Sequence, residues 1–288
     1  MVREFIDKET GEVYNILRFT TVEEQARIDK YNKERQRNNG SEQYVQIEQN
    51  EAMEFMLNNE IDFTLLGACL VLASYITWGS NNLPFNKVGD IYKALNVTDK
   101  PGAAILNKLE SSGLIKRDGK NIEVNKEIFD KGSIDSNSFV KAYSLRIRGL
   151  VEHLSLSQIG MLFVIIPYLG INSNALVWNP HEAVKENLIP LTMEDLSQIF
   201  GFKGEKSIFK RLSNAKIVLD GHIMYAITPL KRDGMTMIFV NPALISRKLT
   251  ATEYMMFSVY KKETVKEARN QYLDENGRMQ LQNCSKGK

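Results

Sequence analysis

Cysteine is nearly missing from this chain: of 288 residues only Cys69, inside an apolar run, and Cys284, in a polar tail, carry a thiol. That scarcity excludes a disulfide framework and a thiolate metal site, and it fits a reducing compartment. Histidine is almost as scarce. His153, His181 and His222 lie far apart with no HxH, HExxH or Cys/His spacing, which argues against a metal-dependent nuclease or a relaxase-type nickase. No P-loop glycine-lysine motif and no Gly-x-Ser-x-Gly occurs, so ATPase and serine-hydrolase readings fail as well. The longest apolar run, Met161 to Ile166 with its flanks, is too short to span a bilayer, and Met1 to Lys8 carries charges where a signal peptide needs an apolar stretch. The expectation is a non-enzymatic cytoplasmic protein, with no cofactor, no metal and no membrane partner.

Excess charge of either sign is also lacking. Lys and Arg number 37 against 35 Asp and Glu, a net charge of +2, which permits nucleic-acid binding without demanding it. Local charge must decide. With 43% hydrophobic and 25% charged residues the composition is that of an ordinary globular protein, and the length allows two modest cores.

The opening segment, Val2 to Leu17, reads as a small hairpin arm with Gly11 in its turn. Thr21 to Asn39 is almost wholly polar, an exposed helix or linker that ends at Asn38-Asn39-Gly40-Ser41. Beyond it the chain repeats itself. Leu66-Gly67, followed by Leu70-Val71-Leu72 and Tyr75, matches Ile159-Gly160, followed by Phe163-Val164-Ile165 and Tyr168, and each reads as a buried first helix. Leu83-Pro84-Phe85-Asn86 matches Ile189-Pro190-Leu191-Thr192, with Asn86 or Thr192 as the cap that opens the next helix.

Leu95-Asn96-Val97-Thr98 and Phe200-Gly201-Phe202-Lys203 then form small turns, followed by third helices over Lys100 to Ser112 and about Glu205 to Ala215. Lys116-Arg117-Asp118-Gly119 and Lys231-Arg232-Asp233-Gly234 are hairpin tips between alternating strands. Helix, helix, turn, helix, hairpin is the order of a winged helix. The expected fold is therefore mainly α with small β wings (α+β), in four parts: an arm and polar linker over 1-60, winged helices over 61-135 and 136-250, and a C-terminal helix and tail over 251-288. The second copy carries an insertion, Ile171 to Leu188, and a longer hairpin.

Such a frame presents its third helix to the major groove of duplex DNA and its hairpin to a flanking backbone. In the first copy Lys100, Asn107 and Lys108 are the candidate DNA contacts on the helix, with Lys116, Arg117 and Lys120 in the wing; the alternative is a degenerate copy used for packing or dimerisation. No arginine on that helix is placed to read guanine. The second copy is richer: Lys203, Lys206, Ser207, Lys210, Arg211, Asn214 and Lys216 surround one helix, opposed only by Glu205. Its alternative is a solvated lysine-rich face. Lys231 and Arg232 at the second wing tip, and Arg247 with Lys248 beyond it, read as backbone contacts or plain surface charge. Trp78 and Trp178 read as packing residues. The stretch Ala251 to Gln282, with Tyr254-Met255-Met256-Phe257 at its start, reads as a helix that docks on the second copy or meets a partner.

The run from Leu95-Asn96-Val97-Thr98 through Ile105, Leu106, Leu109 and Gly113-Leu114-Ile115 resembles the winged helices of bacterial regulators and replication proteins. Phe139-Val140-Lys141 through Ser157-Gln158-Ile159-Gly160, with the closing Phe239-Val240-Asn241-Pro242 and the Asp7-Lys8-Glu9-Thr10-Gly11-Glu12 arm, resembles RepL-type Firmicute plasmid replication proteins and related phage proteins over about a third of the chain. Two winged helices and a C-terminal extension depart from that pattern and resemble tandem winged-helix initiators. The resemblance implies sequence-specific binding of double-stranded DNA at a replication origin or operator, alone or as a homodimer, with a replication or transcription protein as partner. A transcriptional regulator would use the same residues, and a phage or host protein-interaction adaptor is the reading from another class.

Overall fold

The computed structural model describes residues 3–6, 13–16, 44–60, 62–77, 79–119, 121–131, 138–171, 173–184, 187–204, 211, 216–219, 222–232 and 235–247. The chain divides into two units, Met1–Gln43 and Tyr44–Lys288. In the first, β1 (Arg3–Ile6) and β2 (Val13–Ile16) pair antiparallel from Arg3↔Ile16 to Ile6↔Val13, forming the arm hairpin.

The larger unit is mixed α+β and begins inside the segment expected to be a polar linker. β3 (Tyr44–Glu48) and α1 (Gln49–Asn58) come first. Val45 and Ile47 of β3 are fully buried on one face of the strand, and Gln46 between them is buried on the other. Next come α2 (Phe63–Ala73), α3 (Val88–Ala94) and α4 (Asp99–Ser111), then the hairpin β4 (Ile115–Asp118) and β5 (Asn121–Val124), then β6 (Phe129–Asp130). The order then recurs: β7 (Phe139–Tyr143), α5 (Ser144–Gly149), a short 3-10 turn, α6 (Leu156–Val164) and α7 (Met193–Ile199). Two hairpins follow, β8 (Lys216–Leu219) with β9 (His222–Tyr225) and β10 (Ile227–Arg232) with β11 (Met235–Val240), and β12 (Ile245–Ser246) closes the unit.

The two halves share one four-stranded sheet of order β12-β7-β3-β6. At its centre β3 runs antiparallel to β7, with Gln46 opposite Lys141, Tyr44 opposite Tyr143 and Glu48 opposite Phe139. Each of these strands opens its own half, so equivalent strands meet around a central pair as identical strands meet across a dimer two-fold. The helices obey the same relation. α2 is apolar on every side and therefore central, and it packs on α6. A Cβ added at Gly67 would lie 1.8 Å from the Leu156 carbonyl oxygen, and one added at Gly160 would lie 1.8 Å from that of Phe63. The paired glycines let two helix backbones touch where any side chain would hold them apart.

Hydrogen bonds define the equivalence residue by residue. Leu83 N–H donates to Ile122 O and Leu176 N–H to Ile238 O, both at 2.8 Å, while Val124 N–H donates to Asn81 O and Val240 N–H to Asn174 O. The side-chain amide of Asn81 donates to the carbonyls of Val124 and Phe129, and that of Asn174 to those of Val240 and Ile245. These bonds relocate the insertion: residues 174–176 belong to the repeat as counterparts of 81–83, and the added chain lies between Leu176 and Thr192. They also match β4–β5 with β10–β11, because Asn125 N–H donates to Leu114 O and Asn241 N–H to Ala226 O. The second half is thus longer by an entire hairpin, β8–β9, placed before its β10–β11 hairpin.

Candidate nucleic-acid interface

The helix α4 is amphipathic, burying Gly102, Ile105, Leu106 and Leu109 at helical spacing and exposing Lys100, Ala103, Ala104, Asn107 and Lys108. It follows α3 through a tight turn in which Asn96 takes φ 53° and Val97 N–H donates to Tyr92 O. In the second half Gly201 takes φ 66° after α7, and Phe202 N–H donates to Ser197 O, the same turn in a residue type that reaches positive φ without strain. The helix openings differ. Thr192 caps α7 in a reciprocal box with Asp195, whereas α3 is capped by Lys87 with no side-chain bond, so Asn86 does not open α3 as its sequence suggests.

Two basic residues of the first half, Arg117 and Lys108, are already engaged. Arg117 on β4 donates through Nε and Nη2 to Glu110 of α4, the Nε bond at 2.7 Å, and through Nη2 to Asn107 Oδ1 at 2.9 Å. The guanidinium lowers the Glu110 carboxyl below its ordinary range through this bond, and the carboxylate raises Arg117 in return. Lys108 lies 3.6 Å from Asp62, which also caps α2. Lys100 is exposed in the first turn of α4, and Lys116 is exposed opposite Glu123 across the hairpin. With Asp99, Glu110 and Glu123 beside them, these lysines and the arginine form a charge-balanced surface. An open groove of about 620 Å³ adjoins it, lined by Glu60, Asp62, Thr64, Lys108, Ser111 and Ser157 among others, and its acidic rim disfavours a phosphate.

In the second half Lys203 is exposed in the turn, and the exposed Arg211 lays its guanidinium 4.3 Å from the centre of the Phe202 ring. Phe202 stacks in turn against Phe63 and Phe200, so this cation stands on an aromatic platform shared by both halves. Lys231 and Arg232 occupy the end of β10, opposite Thr236 and Met235. Lys206, Ser207, Lys210 and Asn214, like Lys120, Trp78 and the stretch 251–282, lie outside the described residues.

Arg247 is a correction to the sequence reading. It is 3% exposed, donating to Leu169 O at 3.2 Å and Pro180 O at 2.7 Å, with His181 Nδ1 at 3.3 Å. Burial lowers its pKa to about 10. Buried in this way, it is neither a contact for a DNA backbone nor surface charge. Its counterpart is Lys131, whose ammonium donates to Ile76 O as Arg247 does to Leu169 O. Trp178 packs as expected, buried edge-on against Tyr168 with its indole N–H directed at Asp195. Cys69 is buried in α2, which raises its thiol pKa and leaves it protonated.

Among the described residues no group of three or more His, Cys, Asp and Glu could hold a metal ion, and no helix is long and apolar enough to cross a membrane. No family model matches this chain, and neither does any curated protein or solved structure.

Proposed function

We propose that this chain is a sequence-specific double-stranded DNA-binding protein of plasmid or phage type, replication-initiator-like and non-catalytic, built from two winged helices and working in the bacterial cytoplasm. The observation that carries the reading is the order of helix, tight turn, exposed helix and hairpin around α4, of which the first helix, the tight turn and the hairpin recur in the second half. A helix held across a shorter one, with a two-stranded hairpin at its end, is the shape that enters a major groove. The second half supplies more cation. Lys203, Arg211 and, from the sequence, Lys206, Ser207, Lys210 and Asn214 are the proposed contacts there, and Lys231 and Arg232 at the end of β10 lie opposite Thr236 and Met235 in the strand register. Lysines there would supply phosphate contacts, and Arg211, Ser207 and Asn214 would reach base edges.

Selection from random duplex DNA at two salt concentrations, followed by sequencing, tests the reading. An enriched motif with salt-sensitive affinity is the expected result, and its position at an origin or an operator separates replication from transcription. Lys206→Gln and Lys210→Gln should each flatten the salt slope by about one unit. Absence of both enrichment and salt sensitivity would overturn it.

One observation favours a second reading. The surface of α4 and its hairpin is charge-balanced, which suits a protein-interaction adaptor better than a polyanion. Such an adaptor would bind its target with little counterion release.

A further inference from the structure

We infer that Glu110 is a specificity-determining residue of the first half, which withholds Arg117 from DNA; the inference rests on the DNA-binding reading above. Arg117 is the only arginine on α4 or its hairpin, and it stands where the hairpin returns alongside the helix. A guanidinium grips a phosphate or a guanine edge by presenting two parallel N–H groups. In Arg117 the Nε–Nη2 edge is closed on the Glu110 carboxylate, and Asn107 takes a further Nη2 contact.

The pair stays accessible, its side chains 35% and 38% exposed, so solvent does not hold it shut. An exposed ion pair of this kind contributes little to stability and exchanges readily. What blocks exchange with DNA is the anion left behind. If Arg117 turned to a phosphate, Glu110 would face that same phosphate without its partner. A carboxylate placed there therefore acts against DNA as a repulsive element rather than as a contact.

The strand register of the other hairpin differs. Lys116 lies opposite Glu123 in β5, and Arg117 is held by Glu110, whereas Lys231 and Arg232 lie opposite Thr236 and Met235 in β11. Among the described residues, a carboxylate closes on an arginine of this scaffold in the first half. Glu110 assigns the two halves unequal shares of a DNA site.

The test is a two-residue cycle on the full chain, measuring affinity for a random-sequence duplex across 50 to 200 mM salt. Neutral, isosteric Glu110→Gln frees Arg117, and we expect it to raise low-salt affinity about five- to tenfold and to add about 0.9 to the salt slope, the value of one phosphate contact. Arg117→Gln alone should lower affinity by about two- to fivefold, because it leaves the Glu110 carboxylate unpaired against the phosphates. In the double variant the gain should vanish. A gain that persists without Arg117 would show Glu110 to be a simple repulsive charge and would overturn the inference, as would no gain at all. Wild-type protein that binds duplex without salt dependence would remove the DNA-binding reading itself, a distinct result. Thermal melting of all three variants checks that each is folded.

Discussion

Two glycines carry more of this architecture than any bulky side chain. Gly67 and Gly160 sit where α2 and α6 touch, and each would drive a Cβ into the other helix's backbone. Because the obstacle is a carbonyl rather than a flexible side chain, relief requires the helices to separate. Gly160→Ala is therefore expected to destabilise by about 3 kcal/mol or more, at the upper end of overpacking costs, and thermal or urea denaturation will measure it. Gly149, whose added Cβ meets nothing within 4 Å, is the control. The sequence showed these glycines as part of a repeated Leu-Gly and Ile-Gly pattern, but a pattern does not reveal that the two copies press on each other. Asn81 and Asn174 were invisible for a related reason. Each satisfies two buried carbonyls far along the chain, and no local spacing signals such a bond. Asn174→Ala should cost about 1–3 kcal/mol, since it leaves acceptors unpaired.

Between Leu176 and Thr192 the second half adds chain that the first half lacks. Sequence matching put its start too early, because the Leu-Pro-Phe-Asn and Ile-Pro-Leu-Thr strings look alike, whereas the backbone bonds pair Leu83 with Leu176. Periodicity finds helices; it does not find the bridges that decide where two copies part. This added segment is tied to the body through Arg247, which donates to Pro180 O and lies beside His181. Burial first, and the neighbouring Arg247 second, lower the His181 pKa below its ordinary 6.5. A base with a lowered folded pKa binds fewer protons folded than unfolded, so its contribution is complete above pH 6.5 and is lost as pH falls through the folded value. Stability should therefore decline on acidification below about pH 6.5, and His181→Gln should remove that component of the decline, as read from urea midpoints between pH 7 and pH 5. At the start of α7, Thr192→Ala should cost about 1 kcal/mol by opening the capping box, while Lys87→Ala, at a cap with no side-chain bond, should cost almost nothing.

Tyr44–Lys288 is held by a sheet to which both halves contribute. The expected division at 135/136 falls between β6 and β7, which both pair with β3. Calorimetry should accordingly show the described halves melting in a single transition whose calorimetric and van't Hoff enthalpies agree. Two separate transitions would contradict a shared core. Internal repetition was legible in the sequence because helices and turns leave local marks. The joining of the repeats was not, because β3 lay in what read as a polar linker, and its pairing with β7 spans nearly a hundred residues of chain.

The antiparallel meeting of β3 and β7 also bears on what the chain was free to become. When two identical subunits join across a symmetry axis, one gene writes both, and every change appears twice. Here each side is written separately, and association needs no second molecule, so it does not weaken on dilution. That separation allows a lengthened connection and an extra hairpin to exist on one side alone. Asymmetry of this kind is closed to a homodimer, and it gives a single polypeptide two dissimilar hands on one frame.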